Sequence, residues 1–66
     1  MKLNRSAIDL QRARQGITTV KLAESANMTR QNLYAILARG SCRPETAAKL
    51  ARALNCDVSN IVKLEN

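Results

Sequence analysis

The sequence predicts an all-α fold: five short helices in one compact domain. Three observations carry this. Apolar residues recur at helical spacing in successive short segments. Each segment is bounded by a cap or breaker, namely Asn4, Gly16, Thr18, Asn27, Thr29, Pro44, Asn55 and Asp57. The 66 residues contain no internal repeat, low-complexity tract or linker. That length suits residues 1–66 to a single domain near the lower limit for folding unaided.

The first helix is predicted from about Asn4 to Arg14, capped by Asn4 and stopped by Gly16. Ile8 is its main anchor, and the alkyl parts of Arg12 and Arg14 cover the core edge. Leu10 points elsewhere, either onto the last helix or into solvent, where a lone apolar residue is ordinary. Thr18 caps a second helix from about Thr19 to Ala26, with Leu22, Ala23 and Ala26 as its apolar stripe. Lys21 in its first turn opposes the helix dipole by a few tenths of a kcal/mol, offset if that end faces a phosphate. Asn27 tolerates the left-handed conformation that closes a helix. Thr29 then caps a third helix from about Arg30 to Ala38, its hydroxyl accepting the N–H of Gln31 or Asn32.

In that third helix Leu33, Ile36 and Leu37 face inward, while Arg30, Gln31, Tyr34, Ala35 and Ala38 face out. The loop RGSCR (Arg39 to Arg43) leads to Pro44, which suits the first turn of a fourth helix. ETAAKLARALN buries Ala47, Leu50, Ala51 and Leu54 and ends at Asn55. Asp57 caps a fifth helix that buries Val58, Ile61 and Val62. The first three and last two residues are expected to fray.

Composition narrows the function. There is no His and no Trp, and Asp9, Glu24, Glu45, Asp57 and Glu65 are scattered without pairing. So short a chain has little room for a deep pocket and the shell that supports one, which favours surface recognition over enzymatic turnover. No small-molecule effector is expected. Cys42 and Cys56 have no His to complete a metal site, so neither a metal nor another cofactor is expected. Cys56 reads as a small buried apolar residue and Cys42 as exposed in a polar loop. Leu3 is too little for a targeting core, and no segment approaches the ~20 apolar residues of a membrane span. A cytoplasmic protein with reduced thiols and no membrane partner is the expectation.

The net charge of +6 points to a polyanionic partner. Lys2, Arg5, Arg12 and Arg14 are opposed in residues 1–17 only by Asp9, and Lys21, Arg30, Arg39 and Arg43 in residues 18–43 only by Glu24. From Pro44 onward Lys49, Arg52 and Lys63 are balanced by Glu45, Asp57 and Glu65. The anion-facing surface is therefore expected from the first 43 residues. On it, Arg30 and Gln31 have the chemistry to read bases: Arg bonds guanine O6 and N7 bidentately, and Gln does the same to adenine N6 and N7. Ala35 lets a helix sit close to base edges, or is there for helix propensity alone. Tyr34, the one aromatic residue, either reaches a phosphate or the groove edge or packs partly on its neighbours.

From Arg12 to Val62 the chain resembles the lambda-type phage repressor and Cro (XRE) helix-turn-helix domains. The residues concerned are R-x-x-x-G-I-T (Arg12 to Thr18), L-A (Leu22, Ala23), N-M-T-R-Q (Asn27 to Gln31), R-P (Arg43, Pro44) and K-L-A-x-A-L-N-C-D-V (Lys49 to Val58). The resemblance implies a lambda repressor-like fold with the helix-turn-helix in helices 2 and 3, the latter in the major groove. It implies base contacts from Arg30 and Gln31 with close approach by Ala35, and phosphate contacts from Thr18, Thr19, Thr29, Asn32, Arg39, Ser41 and Arg43. Two positions depart from the family. Thr19 stands where many relatives have Gln, and Leu37 where many have a Glu paired with the arginine corresponding to Arg12. Arg12 then either turns out to a phosphate or to Asp9, or lies across the core edge.

The expectation is a sequence-specific regulator of double-stranded DNA of bacterial or phage type, acting as a homodimer on a palindromic operator, as a repressor that occludes polymerase, with activation by contact equally compatible with the sequence. Val58, Val62 and Leu64 in the neutral C-terminal part are the expected dimer surface. Two other readings are a protein-interaction or antitoxin-like module, with weak DNA binding of little salt dependence, and a nonspecific nucleic-acid binder.

Overall fold

The computed structural model describes residues 1–63. Four α-helices follow in order: α1 (Arg5–Gln15), α2 (Thr19–Ser25), α3 (Arg30–Arg39) and α4 (Pro44–Ala53), then a 3₁₀ turn at Val58–Asn60. The boundaries follow from local chemistry. Asn4 accepts the Ala7 N–H, Thr18 that of Lys21 and Thr29 that of Asn32, each at 3.1 Å. Pro44 opens α4 without a side-chain cap, its missing N–H being one that a first turn leaves unpaired.

The helix ends share one device. α1, α2 and α4 run into a left-handed residue, Gly16 (φ 66°), Asn27 (φ 57°) and Asn55 (φ 55°). The following N–H then reaches back five residues, from Ile17 to Arg12 O, Met28 to Ala23 O and Cys56 to Ala51 O. These are Schellman closures, which turn the next side chain back onto the helix. Ile17, Met28 and Cys56 accordingly pack half-buried against the core. α3 ends more simply on Gly40 (φ 76°), whose N–H bonds to Ile36 O.

α2 packs against both α3 and α4, and α4 against the 3₁₀ turn. Ile8, Leu22, Leu33, Leu50, Leu54 and Ile61 lie fully buried at the centre. Burial of this kind stabilises by about 1.5–3 kcal/mol per large aliphatic side chain. Ala23 and Ala26 are buried where α2 meets its neighbours. No helix among the described residues is long and apolar enough to cross a membrane.

Four expectations are corrected. The fifth helix is a single 3₁₀ turn, closed by Asn60 N–H to Asp57 O and Ile61 N–H to Val58 O. It cannot lengthen, because the chain is drawn out at Val62 to pair with Leu3. Residues 1–3 do not fray. They lie extended between two partners, with antiparallel bridges from Lys2 to Ser41 and from Leu3 to Val62, and Leu3 is buried in the core. Cys42 is half-buried and packs on the core, because its backbone is tied to Met1. Cys56 is also only half-buried, at the position where the α4 closure turns back.

The 3₁₀ turn carries a pH-sensitive contact. Asp57 accepts from the Ser59 hydroxyl and from its N–H, and these bonds hold its carboxyl below the ordinary value. A carboxyl lowered in this way stabilises the fold above its unfolded pKa, and the contribution is lost as pH falls through the folded value. Stability is therefore expected to fall on acidification below the ordinary carboxylate range. Asp57→Asn is expected to flatten that acid limb, as urea midpoints over a pH series would show.

Candidate nucleic-acid interface

Three stretches of backbone carry the sequence-predicted phosphate contacts and the Arg30–Gln31 pair, and Tyr34 and Ala35 follow in the middle of α3. Thr18 and Thr19 form the start of α2, Thr29 to Asn32 form the start of α3, and Arg39 to Arg43 form the α3–α4 loop. The apolar face of α3 places the second of these stretches. Leu33, Ile36 and Leu37 are buried, so the 3.6-residue period turns Arg30, Gln31, Tyr34, Ala35 and Ala38 to solvent. Tyr34 is half exposed and makes no hydrogen bond among the described residues.

The two capping threonines retain binding capacity. Each hydroxyl accepts one backbone N–H and keeps its own proton to donate. The N–H groups of Arg30 and Gln31, in the first turn of α3, have no acceptor within the helix. They point the same way as the positive end of the helix dipole, an arrangement that suits an anion. Thr19 is half-buried, and Thr18, Thr29 and Asn32 are exposed.

The charges divide into used and unused groups. Asp9 takes Arg12 at 3.1 Å and Arg5 at 3.8 Å, and Glu24 takes Lys21 at 3.8 Å. Arg30, Arg39 and Arg43 have no carboxylate partner among the described residues, so their positive field is directed outward. Arg12 turns to Asp9, donates a long bond to Ile17 O at 3.4 Å, and leaves its Nε buried without a partner. Its family role, pairing with a Glu, is absent because Leu37 is a buried core residue. Arg14 is exposed and covers little of the core. Partial burial raises the Cys42 thiol above its ordinary value against the pull of the N-terminal ammonium and Arg39. Burial, then the neighbouring Asp57, does the same for Cys56. Neither thiol is activated as a nucleophile.

Lys2, counted with the basic first 43 residues, lies beside the α3–α4 loop, a placement the sequence did not show. The Lys2 to Ser41 bridge is of the non-hydrogen-bonded kind, which sets the two side chains close together on one face. A three-residue segment carries no periodicity that would reveal such a pairing.

The turn between α2 and α3 sets how α3 is presented. Asn27→Ala would force a Cβ-bearing residue without a polar side chain into φ 57°. It is expected to cost about 1 kcal/mol, whereas Asn27→Gly should be neutral or stabilising; thermal melts of the two variants check this.

Two helices joined by a tight left-handed turn, the second capped, buried on one face and cationic at its exposed start, define a helix-turn-helix domain. The model of the Cro/C1-type helix-turn-helix DNA-binding domain matches residues 7–66. The chain belongs to that family and is a DNA-binding domain. Comparison with curated proteins and with solved structures gave no significant match.

Proposed function

We propose that the chain is a sequence-specific transcriptional regulator of double-stranded DNA that represses by occupying a palindromic operator as a homodimer. Residues 1–66 act as one cytoplasmic helix-turn-helix unit without an effector or cofactor. α3 enters the major groove, where Arg30 and Gln31 bond base edges and Ala35 allows close approach, with Tyr34 at the groove edge. Thr18, Thr19, Thr29, Asn32, Arg39, Ser41 and Arg43 hold the sugar-phosphate backbone and fix the register.

One observation carries this reading. Arg30 and Gln31 are exposed on the first turn of a helix buried on its other face, and neither side chain is engaged within the described residues. A solvated helix start needs no such pair of planar groups, one a twofold donor and the other a donor and acceptor, beside two capped N-termini.

One recognition helix reads too few base pairs for tight binding, and a two-fold pair places two of them ~34 Å apart on the duplex. The copies meet through the C-terminal part. Val58 is half-buried there, whereas Val62, expected at that surface, is only 7% exposed and lies in the core paired with Leu3. Leu64 lies outside the described residues.

Selection from random duplexes at two salt concentrations tests the proposal. A two-fold symmetric motif should be enriched. Salt-dependent binding with no enriched motif would leave a nonspecific binder, and weak binding with little salt dependence would indicate a protein-interaction module.

A further inference from the structure

We propose that the segment Met1–Leu3 is a positioning strap for the α3–α4 loop, holding Arg39, Ser41 and Arg43 in the arrangement that a phosphate backbone meets. The inference rests on the proposed phosphate role of that loop and adds the element that sets its shape.

The backbone bonds assign this role. The loop leaves α3 at Gly40 and must reverse within three residues to begin α4 at Pro44. Apart from the Gly40 N–H, which closes α3, the loop's backbone bonds from Gly40 to Cys42 all run to the strap among the described residues. Leu3 N–H donates to Gly40 O, Cys42 N–H donates to Met1 O, and the Met1 amine donates to Cys42 O, each at 2.9 Å. The other edge of the strap is fixed in turn, with Asn4 N–H on Ile61 O and Lys63 N–H on Lys2 O, both at 2.9 Å. Leu3, 5% exposed, pins the strap into the core beside Val62.

The strap therefore transmits core packing to the loop. The loop's other anchor is the Cys42 side chain on the core, and Arg43 at the start of α4 makes no side-chain capping bond. Ordering a loop before binding removes an entropic cost that would otherwise fall on the complex. The first turn of α3 does not depend on the strap, because Thr29 and the buried face of Leu33 and Ile36 fix it. The strap is thus expected to govern the phosphate contacts and leave base reading alone.

The experiment is a pair of double-mutant cycles in DNA binding, using a duplex selected from the random pool. Leu3→Ala and the milder Leu3→Val are each combined with Arg43→Ala and with Arg30→Ala. Circular dichroism at the assay temperature confirms folding, and Ile8→Val in α1 serves as a core control outside the strap and the loop. Leu3→Ala is expected to weaken binding to every sequence about threefold to tenfold, the factor for ordering one or two long side chains, with base preference unchanged. The loss from Arg43→Ala should shrink by about half in that background, while Arg30→Ala should remain additive. If Leu3→Ala does not fold, Leu3→Val is expected to show the same pattern at smaller amplitude.

Folded Leu3 variants that bind like Ile8→Val, or that couple equally to Arg30 and Arg43, would overturn the strap. The reading beneath it is judged separately, by Arg43→Ala in the unaltered chain. No loss there would remove the phosphate role of the loop, whereas a clear loss without coupling to Leu3 would remove the strap alone.

Discussion

Arg30→Ala is expected to relax base preference at one position of the operator half-site, by about 1–3 kcal/mol, and to change little at the others. Arg30 is the first residue of α3, exposed and without a carboxylate partner among the described residues. Its guanidinium fork is rigid and matches guanine, so its removal takes away discrimination along with some affinity. Arg43→Ala provides the contrast. Standing at the cap of α4 with no side-chain capping bond, it is expected to weaken all sequences alike and reduce the salt slope by about one. Binding to duplexes substituted at each position, at two salt concentrations, separates the two behaviours. If the variants behave identically, the division into base and phosphate contacts is wrong.

Leu50→Ala is expected to leave the domain largely unfolded near physiological temperature. Leu50 is completely buried in α4, which packs against both α2 and the 3₁₀ turn. Truncating a buried leucine costs about 2–5 kcal/mol, because the surroundings collapse only partly onto the cavity. Marginal stability of roughly 0.05–0.15 kcal/mol per residue leaves so short a chain little reserve. The melting temperature should fall by about 10–30 °C, at 4–8 °C per kcal/mol for a domain of this size. A thermal melt followed by circular dichroism measures it, with Ala38→Ser on the exposed face of α3 expected to shift far less. A small shift for Leu50→Ala would mean that the packing of α4 on α2 and the 3₁₀ turn contributes little to stability.

Local chemistry made much of this architecture legible in the sequence. Thr18 and Thr29 cap as their hydroxyls predict, Asn27 takes the left-handed conformation, and Leu33, Ile36 and Leu37 turn inward. Each of these features is decided within four or five residues. What was not legible depends on partners distant in sequence. The pairing of Leu3 with Val62 and of Lys2 with Ser41 leaves no periodic trace, so the first residues looked free to fray. That same pairing draws out Val62 and limits the last helix to one 3₁₀ turn. Arg12 is a local case: of its three possible outlets it takes Asp9, three residues back on the same helix, and it also donates to the Ile17 carbonyl. Among the site residues, exposure on α3 could be read from helical period, but the loop around Ser41 could not, because its shape is set by the strap.

Whether the exposed first turn of α3 reads sequence is measured by a competition between the selected duplex and a scrambled one at 50 and 200 mM salt. For a specific reader, affinity for both should fall steeply with salt, while the preference for the selected duplex stays at about a thousandfold or more. Loss of that preference in Arg30→Ala, with salt dependence largely kept, completes the expected result. Equal binding of the two duplexes at both salt concentrations would contradict it.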